Sequence, residues 1–311
     1  MAKGKGGAGG GLGKIKNKQK RQEVLRKRKE RFDKEQLKKA KAKKKAKAEA
    51  GDAAASSSLP AEPQYTLETL RQGLETVVRA QDAEVHADVD CDEFSQIMNG
   101  DIAPKIMITT RPRPSKQLFH FIRDLMSFLP NSFLYERKSY ELKDMCKWAG
   151  NKKFTHLIVL GEKNKVCTTM LVVKLPEGPT AFFRVTNVIQ SKDIADHGRA
   201  QHFIPEVIMN NFKTRLGHRV GRILASLFPH QGEVENRTVA TIHNQRDFMF
   251  LRHHRYIFND EGKKVKLQEL GPRFTLKLKW VMADTFNTKH GEYEWVHNTK
   301  SQDGNRRKFA L

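Results

Sequence analysis

The sequence predicts an α/β fold built on an internal duplication, carried behind a long basic tail that is helical or disordered. Three observations predict it. Charge divides the chain into three blocks. From about residue 104 the apolar pattern switches between helical spacing and strand-like runs, as in a layered α/β domain. The helix ending LMSFLP (Leu125–Pro130) is echoed about a hundred residues later by LASLFP (Leu224–Pro229), and strand-like runs follow both.

The 311 residues carry a formal charge of +23, and 38% are hydrophobic, below the ~45–50% usual for globular chains. Residues 1–50 hold 20 Lys and Arg against 5 acidic residues, residues 51–100 hold 2 against 10, and residues 101–311 hold 36 against 20. A basic tail, an acidic linker and a basic body point to a polyanionic partner. Phosphate backbones are the commonest, because each neutralised phosphate releases a counterion. A merely solubilising surface is the plain alternative. Cys91, Cys146 and Cys167 form no C-x-x-C pair, which argues against a disulfide framework or zinc site and fits a reducing compartment. The opening MAKGKGGAGGGLGK has no apolar core, so no signal peptide is expected. No stretch approaches the ~18 apolar residues of a membrane span.

Residues 1–13 are Gly-rich. Residues 14–50 are mostly good helix formers without a wide apolar stripe, a pattern that folds on binding or stays a solvated tail. Within them Arg26, Lys27, Arg28, Lys29 and Arg31, with the run Lys38–Lys45, form nuclear-localisation-like patches. Residues 51–63 read as a linker. Leu67, Leu70, Leu74, Val77 and Val78 allow a short helix over 65–80, and the acidic stretch Asp82–Glu93 either docks on a partner or shields the basic regions. KIMITT (Lys105–Thr110) is a strand, RPRP a turn, and Ser115 caps a helix through Leu118–Leu129 that Pro130 stops. A second helix covers Tyr140–Ala149. HLIVL (His156–Leu160) is continuously apolar, as in a strand buried on both faces. Thr168–Leu175 and Thr180–Thr186 complete a meander. A helix over Leu216–Phe228 and strands at Thr238–Ile242, Phe248–Phe258 and Arg273–Val281 repeat the scheme.

No motif announces catalysis. GKGGAG (Gly4–Gly9) fits G-x-G-x-x-G but has no strand before it and no apolar helix after it. His253 and His254 lack companions at metal spacing and read as exposed or RNA-contacting. Two stretches stand out positively. In RFTLKLKW, Phe274, Leu276, Leu278 and Trp280 alternate with Arg273, Thr275, Lys277 and Lys279, so one sheet face is apolar and the other cationic. On the Leu216–Phe228 helix, Arg215, Arg219 and Arg222 share a face flanked by His218, and Arg suits bidentate phosphate recognition. Gly217 and Gly221 leave that helix slim, for close approach or for tight packing on a neighbour.

ELGPRFTLKLKW (Glu269–Trp280) resembles the signature segment of the Brix-domain family. IPEVIMNNFKTRLGHRVGRILASLFPH (Ile204–His230), TVATIHNQRDFMFLRHHRYIF (Thr238–Phe258), PKIMITTRPRPS and LPNSFLYERK fit one branch of it. The likeness covers about residues 94–311. It implies a duplicated α/β domain, each half similar to an anticodon-binding fold. The expected organisation is a tail over 1–50, an acidic linker over 51–101, a Brix domain over 102–286 with halves of about 102–190 and 200–286, and a C-terminal extension over 287–311. The resemblance implies a non-catalytic assembly factor of the nucleus and nucleolus. It would bind precursor rRNA of the large subunit together with other assembly factors and ribosomal proteins of that particle. No cofactor, metal, membrane or small-molecule substrate is expected. The RNA contacts the resemblance implies are Arg273, Lys277 and Lys279; the helix residues Arg215, Arg219, Arg222 and His218 and the tail rest on charge alone. The alternative is a protein–protein adaptor within pre-ribosomes whose charge serves localisation.

Overall fold

The computed structural model describes residues 26, 27, 34, 66, 70, 71, 76–78, 82–90, 92–200, 204–230, 237–259, 264–286, 291–302 and 308–311. The chain forms two compact units, Met1–Gln64 and Tyr65–Leu311. In the first, the described residues Arg26, Lys27 and Lys34 are helical.

The second unit opens with helices α1 (Ala83–Asp90) and α2 (Ser95–Met98). Strand β1 (Ile106–Thr110) leads to α3 (Lys116–Phe128), β2 (Ser132–Leu134) and α4 (Leu142–Asn151). The meander β3 (His156–Lys163), β4 (Val166–Lys174) and β5 (Thr180–Ile189) follows. Then come β6 (Glu206–Asn210), α5 (Arg215–Ala225), β7 (Thr238–Gln245), β8 (Phe248–Asn259), β9 (Lys264–Glu269), β10 (Arg273–Met282), β11 (Tyr293–Val296) and α6 (Thr299–Gln302). All the strands belong to one sheet in the order β2-β1-β3-β4-β5-β10-β8-β7-β6, with β9 on β8 and β11 on β10.

The order is a mirrored repeat. In each half a strand is followed by a helix and gains a parallel neighbour, β3 beside β1 (after α3, β2 and α4) and β7 beside β6 (after α5 alone). Antiparallel strands then run inward to β5 and β10, whose pairing makes the two halves one sheet. Helices α3 and α5 share one face of it and one core. Phe121 meets Phe274 edge to face at 5.7 Å, and Phe128 meets Phe228 at 5.3 Å. Each helix begins on the side-chain cap its sequence offers: Ser115 Oγ accepts from the Leu118 N–H at 3.3 Å, and Thr214 Oγ1 from the Gly217 N–H at 2.9 Å.

The other face differs between halves. Over the first, α4 packs Met145 and Ala149 on Leu157, Val159, Leu171 and Val173. His156–Leu160 is therefore buried throughout, as its unbroken apolar run predicts. On the same face of the second half, Trp280 at the end of β10 packs against the α4 cluster and Thr275 is buried, while Lys277 is half-buried and Phe248 exposed.

Three expectations change. Val77 forms an isolated bridge to Thr214 and its neighbour Val78 donates to Lys213 O, so the helix expected over 65–80 does not reach its end. The acidic stretch Asp82–Glu93 is built into the body, because Val85 within it and Phe94 directly after it are both buried. His253 is buried in the core with its ring 5.5 Å from that of Phe128, because odd positions of β8 face the helices; burial pushes its pKa down to about 4. Strands β2, β6, β9 and β11 were not among the expected elements. Gly217 and Gly221 serve packing: a Cβ at Gly217 would stand 3.2 Å from the Leu311 backbone, and one at Gly221 would touch Met209 and Phe212.

Candidate nucleic-acid interface

Strand β10 positions the site by alternation. Phe274, Leu276 and Leu278 are buried under the helices, so Arg273, Thr275 and Lys277 point to the opposite face, where Thr275 is itself buried and the two cations are half-buried. The register shifts between Leu278 and Trp280. Trp280 then stacks on Phe182 at 5.3 Å and 15°, and Lys279 Nζ lies 3.3 Å from His297 Nδ1. Lys279, Lys163, Arg184, His297 and Trp280 line one cleft of about 700 Å³ whose described lining holds no carboxylate.

Lys277 sits between two informative neighbours. On β5 it faces Arg184 directly; on β8 it faces Phe248, its Nζ 5.1 Å from the ring centroid. Like charges directly opposite in a ladder are destabilising, so the Lys277–Arg184 pair makes sense as a binding surface for an anion. Arg273 lies two residues before Thr275 on the same face. It is held by Glu269 through two bonds of 2.6 Å, and the Arg273 bond in turn holds the Glu269 carboxyl below its usual range.

The helix residues are brought together, but toward the protein's own carboxylates. Arg215 bonds Asp88 at 2.8 Å. Arg219 bonds Glu93 and Glu294 at 2.8 and 2.9 Å, with its guanidinium over the Phe94 ring. Arg222 is gripped by both oxygens of Asp92 and bonds the Val89 carbonyl at 3.0 Å. The Arg222 and Asp92 side chains are only 18% and 10% exposed. A phosphate reaching these arginines must displace a carboxylate, so α1 and the Asp92–Glu93 turn already occupy that face. His218 is exposed beside them. Of the tail residues, Arg26 and Lys27 are exposed and helical; Arg28, Lys29 and Arg31 lie outside the described residues.

Arg184, Phe248 and Phe250 were not singled out in the sequence. Phe182, Arg184 and Thr186 do alternate with Ala181, Phe183 and Val185 in the same two-residue period as the signature strand. That signal was legible; the adjacency of β5 to β10 was not.

The surface offers cations and aromatic rings to phosphates and bases. Among the described residues no three His, Cys, Asp or Glu side chains gather as for a metal ion. Burial pushes the thiols of Cys146 and Cys167 up to about 11 and about 12, away from the reactive thiolate.

A family model described as the Brix domain matches residues 112–280. The chain is 46% identical to Ribosome production factor 1 of Danio rerio over 254 residues, 81% of this chain and 76% of that protein. It is 38% identical to Ribosome production factor 1 of Saccharomyces cerevisiae over 253 residues, 80% of this chain and 83% of that one. A crystal structure of a probable ribosomal biogenesis protein from Aeropyrum pernix K1 aligns with 63% of this chain and 99% of its own at 16% identity and a TM-score of 0.44.

Proposed function

The chain belongs to the Brix domain family and is a ribosome biogenesis factor, and from that premise we propose that it is a non-catalytic protein that binds precursor rRNA of the large subunit in the nucleolus. The observation that carries the reading is the cationic row across β5, β10 and β8, where Lys277 opposes an exposed Arg184 beside an exposed Phe248. A sheet with cations for phosphates and rings for bases holds an RNA strand by stacking and charge, without a pocket of convergent reactive groups. In this reading Lys277, Lys279 and Arg184 contact RNA, while Arg215, Arg219 and Arg222 hold the acidic segment. The tail with Arg26–Arg31 adds sequence-independent attraction. The body spans 102–286 in two halves, 102–190 and 200–286, and works beside other assembly factors and ribosomal proteins of the particle.

Crosslinking the protein to RNA in cells and sequencing the recovered fragments tests this. Large-subunit precursor rRNA is expected, with crosslinks on β10 peptides. Protein recovered with the particle but never crosslinked to RNA would favour an adaptor instead.

A further inference from the structure

The face opposite α3 and α5 carries a pattern that alternation on one strand does not reveal. Gly161 pairs with Thr169, Thr169 with Arg184, Arg184 with Lys277 and Lys277 with Phe248. These residues form one row running across β3, β4, β5, β10 and β8. Arg111, one residue beyond β1, extends the row at the other end. Its backbone N–H donates to Leu160 O at 3.0 Å. Its side chain lies over Gly161: a Cβ there would stand 3.2 Å from Arg111 Nε and 2.3 Å from Thr169 Oγ1. The bare glycine is what lets the guanidinium reach across β3 toward Thr169.

We propose that this row is a track for one single-stranded segment of RNA, crossing the sheet perpendicular to its strands. The phosphates would lie on Arg111, Arg184 and Lys277, and an unpaired base would lie on Phe248. The inference rests on the RNA-binding reading above and specifies its ligand. Arg111 and Arg184 are exposed, and among the described residues neither guanidinium has a carboxylate or hydrogen-bond partner, unlike the three arginines of α5. From β1 to β8 the row spans about 24 Å at the usual strand spacing. The row beside it, Thr186, Thr275, Phe250 and His243, holds no Lys or Arg. One cationic rail suits one strand; a duplex presents two phosphate backbones and keeps its bases from an aromatic platform.

The full chain would be titrated with a labelled oligouridylate of about 12 nucleotides and with an RNA duplex of the same length, across a range of salt. The single strand should bind more tightly. Arg111→Gln and Arg184→Gln should each weaken its binding about three- to tenfold and each lower the slope of log K against log salt by about 0.7. Gly161→Ala, which changes no charge, should weaken binding by driving the Thr169 side chain out of the row and shifting Arg111 off it. If Gly161→Ala loses its thermal transition, the exposed Arg111→Gln carries the test. Arginine variants that bind with wild-type affinity and slope would overturn the track and leave the RNA-binding reading standing. A preference for duplex would overturn the single-strand assignment. Wild-type protein that binds neither RNA would overturn both.

Discussion

Lys277 stands directly opposite Arg184 across the β5–β10 ladder, the pairing that joins the two halves. Opposite-charge cross-strand pairs contribute about 0.2–1 kcal/mol and like charges act against the fold. Lys277→Glu should therefore change stability by no more than about 1 kcal/mol, because it faces a carboxylate to Arg184 while giving up the contact with Phe248. The same change, with Lys279→Glu, should weaken RNA binding at least tenfold at low salt. Urea unfolding and fluorescence anisotropy read the two effects separately. A lost cooperative transition would make Lys277 structural.

Asp92 and Arg222 behave oppositely. Both side chains are largely buried, and removing one partner of a buried pair costs about 3–5 kcal/mol because the other charge stays unpaired. Asp92→Asn should cost a few kcal/mol in urea unfolding and leave the RNA affinity of the folded protein unaltered. Higher RNA affinity at intact stability would show that the acidic segment masks a phosphate site.

His156 sets an acid limit. Its Nδ1 lies 2.9 Å from Thr155 Oγ1 and its Nε2 lies 3.0 Å from Ser226 Oγ, across the two halves. Burial, with a smaller push from Lys174, lowers its pKa to about 3. The unfolded chain takes up this proton near pH ~6.5 and the folded chain does not, so stability is full above ~6.5 and is lost as pH falls toward about 3. The slope reaches about 1.4 kcal/mol per pH unit, or about 2 kcal/mol by pH ~5. His253 adds a loss of the same sign. Urea midpoints measured from pH ~7.5 to ~5 should fall, and His156→Gln should flatten the curve. An unchanged slope in that variant would contradict the assignment.

The tail is tested by length. Deleting residues 1–50 removes 20 of the 58 Lys and Arg residues. It should make RNA affinity less steep in salt, by about 0.7–0.9 in the log–log slope for each phosphate that the tail neutralises. A slope identical to that of the full chain would remove the tail from the interface.

Much of the fold was legible in the sequence. The α/β class, the helices closed by Pro130 and Pro229, the meander after each, and the two-faced RFTLKLKW strand all follow from periodicity and turn chemistry. Strands β2, β6, β9 and β11 were harder. β2 and β11 are only three and four residues long, too short for a period to register; β6 offers a run of only three apolar residues, Val207–Met209, and β9 is exposed along nearly its whole length.

The site divides along the same line. By itself the sequence determined which residues of a strand share a face: HLIVL is apolar throughout and is buried throughout, whereas RFTLKLKW alternates an apolar set with a cationic one. It could not say what each face meets. Arg215, Arg219 and Arg222 look like a phosphate site on a helix, and only the tertiary structure brings Asp88, Asp92 and Glu93 onto them from more than a hundred residues away. Arg111, Gly161, Arg184 and Lys277 look unrelated along the chain, and only strand pairing sets them in one row. Periodicity is a local property of the backbone, but whether a charge is neutralised or open depends on neighbours that folding brings from distant parts of the chain.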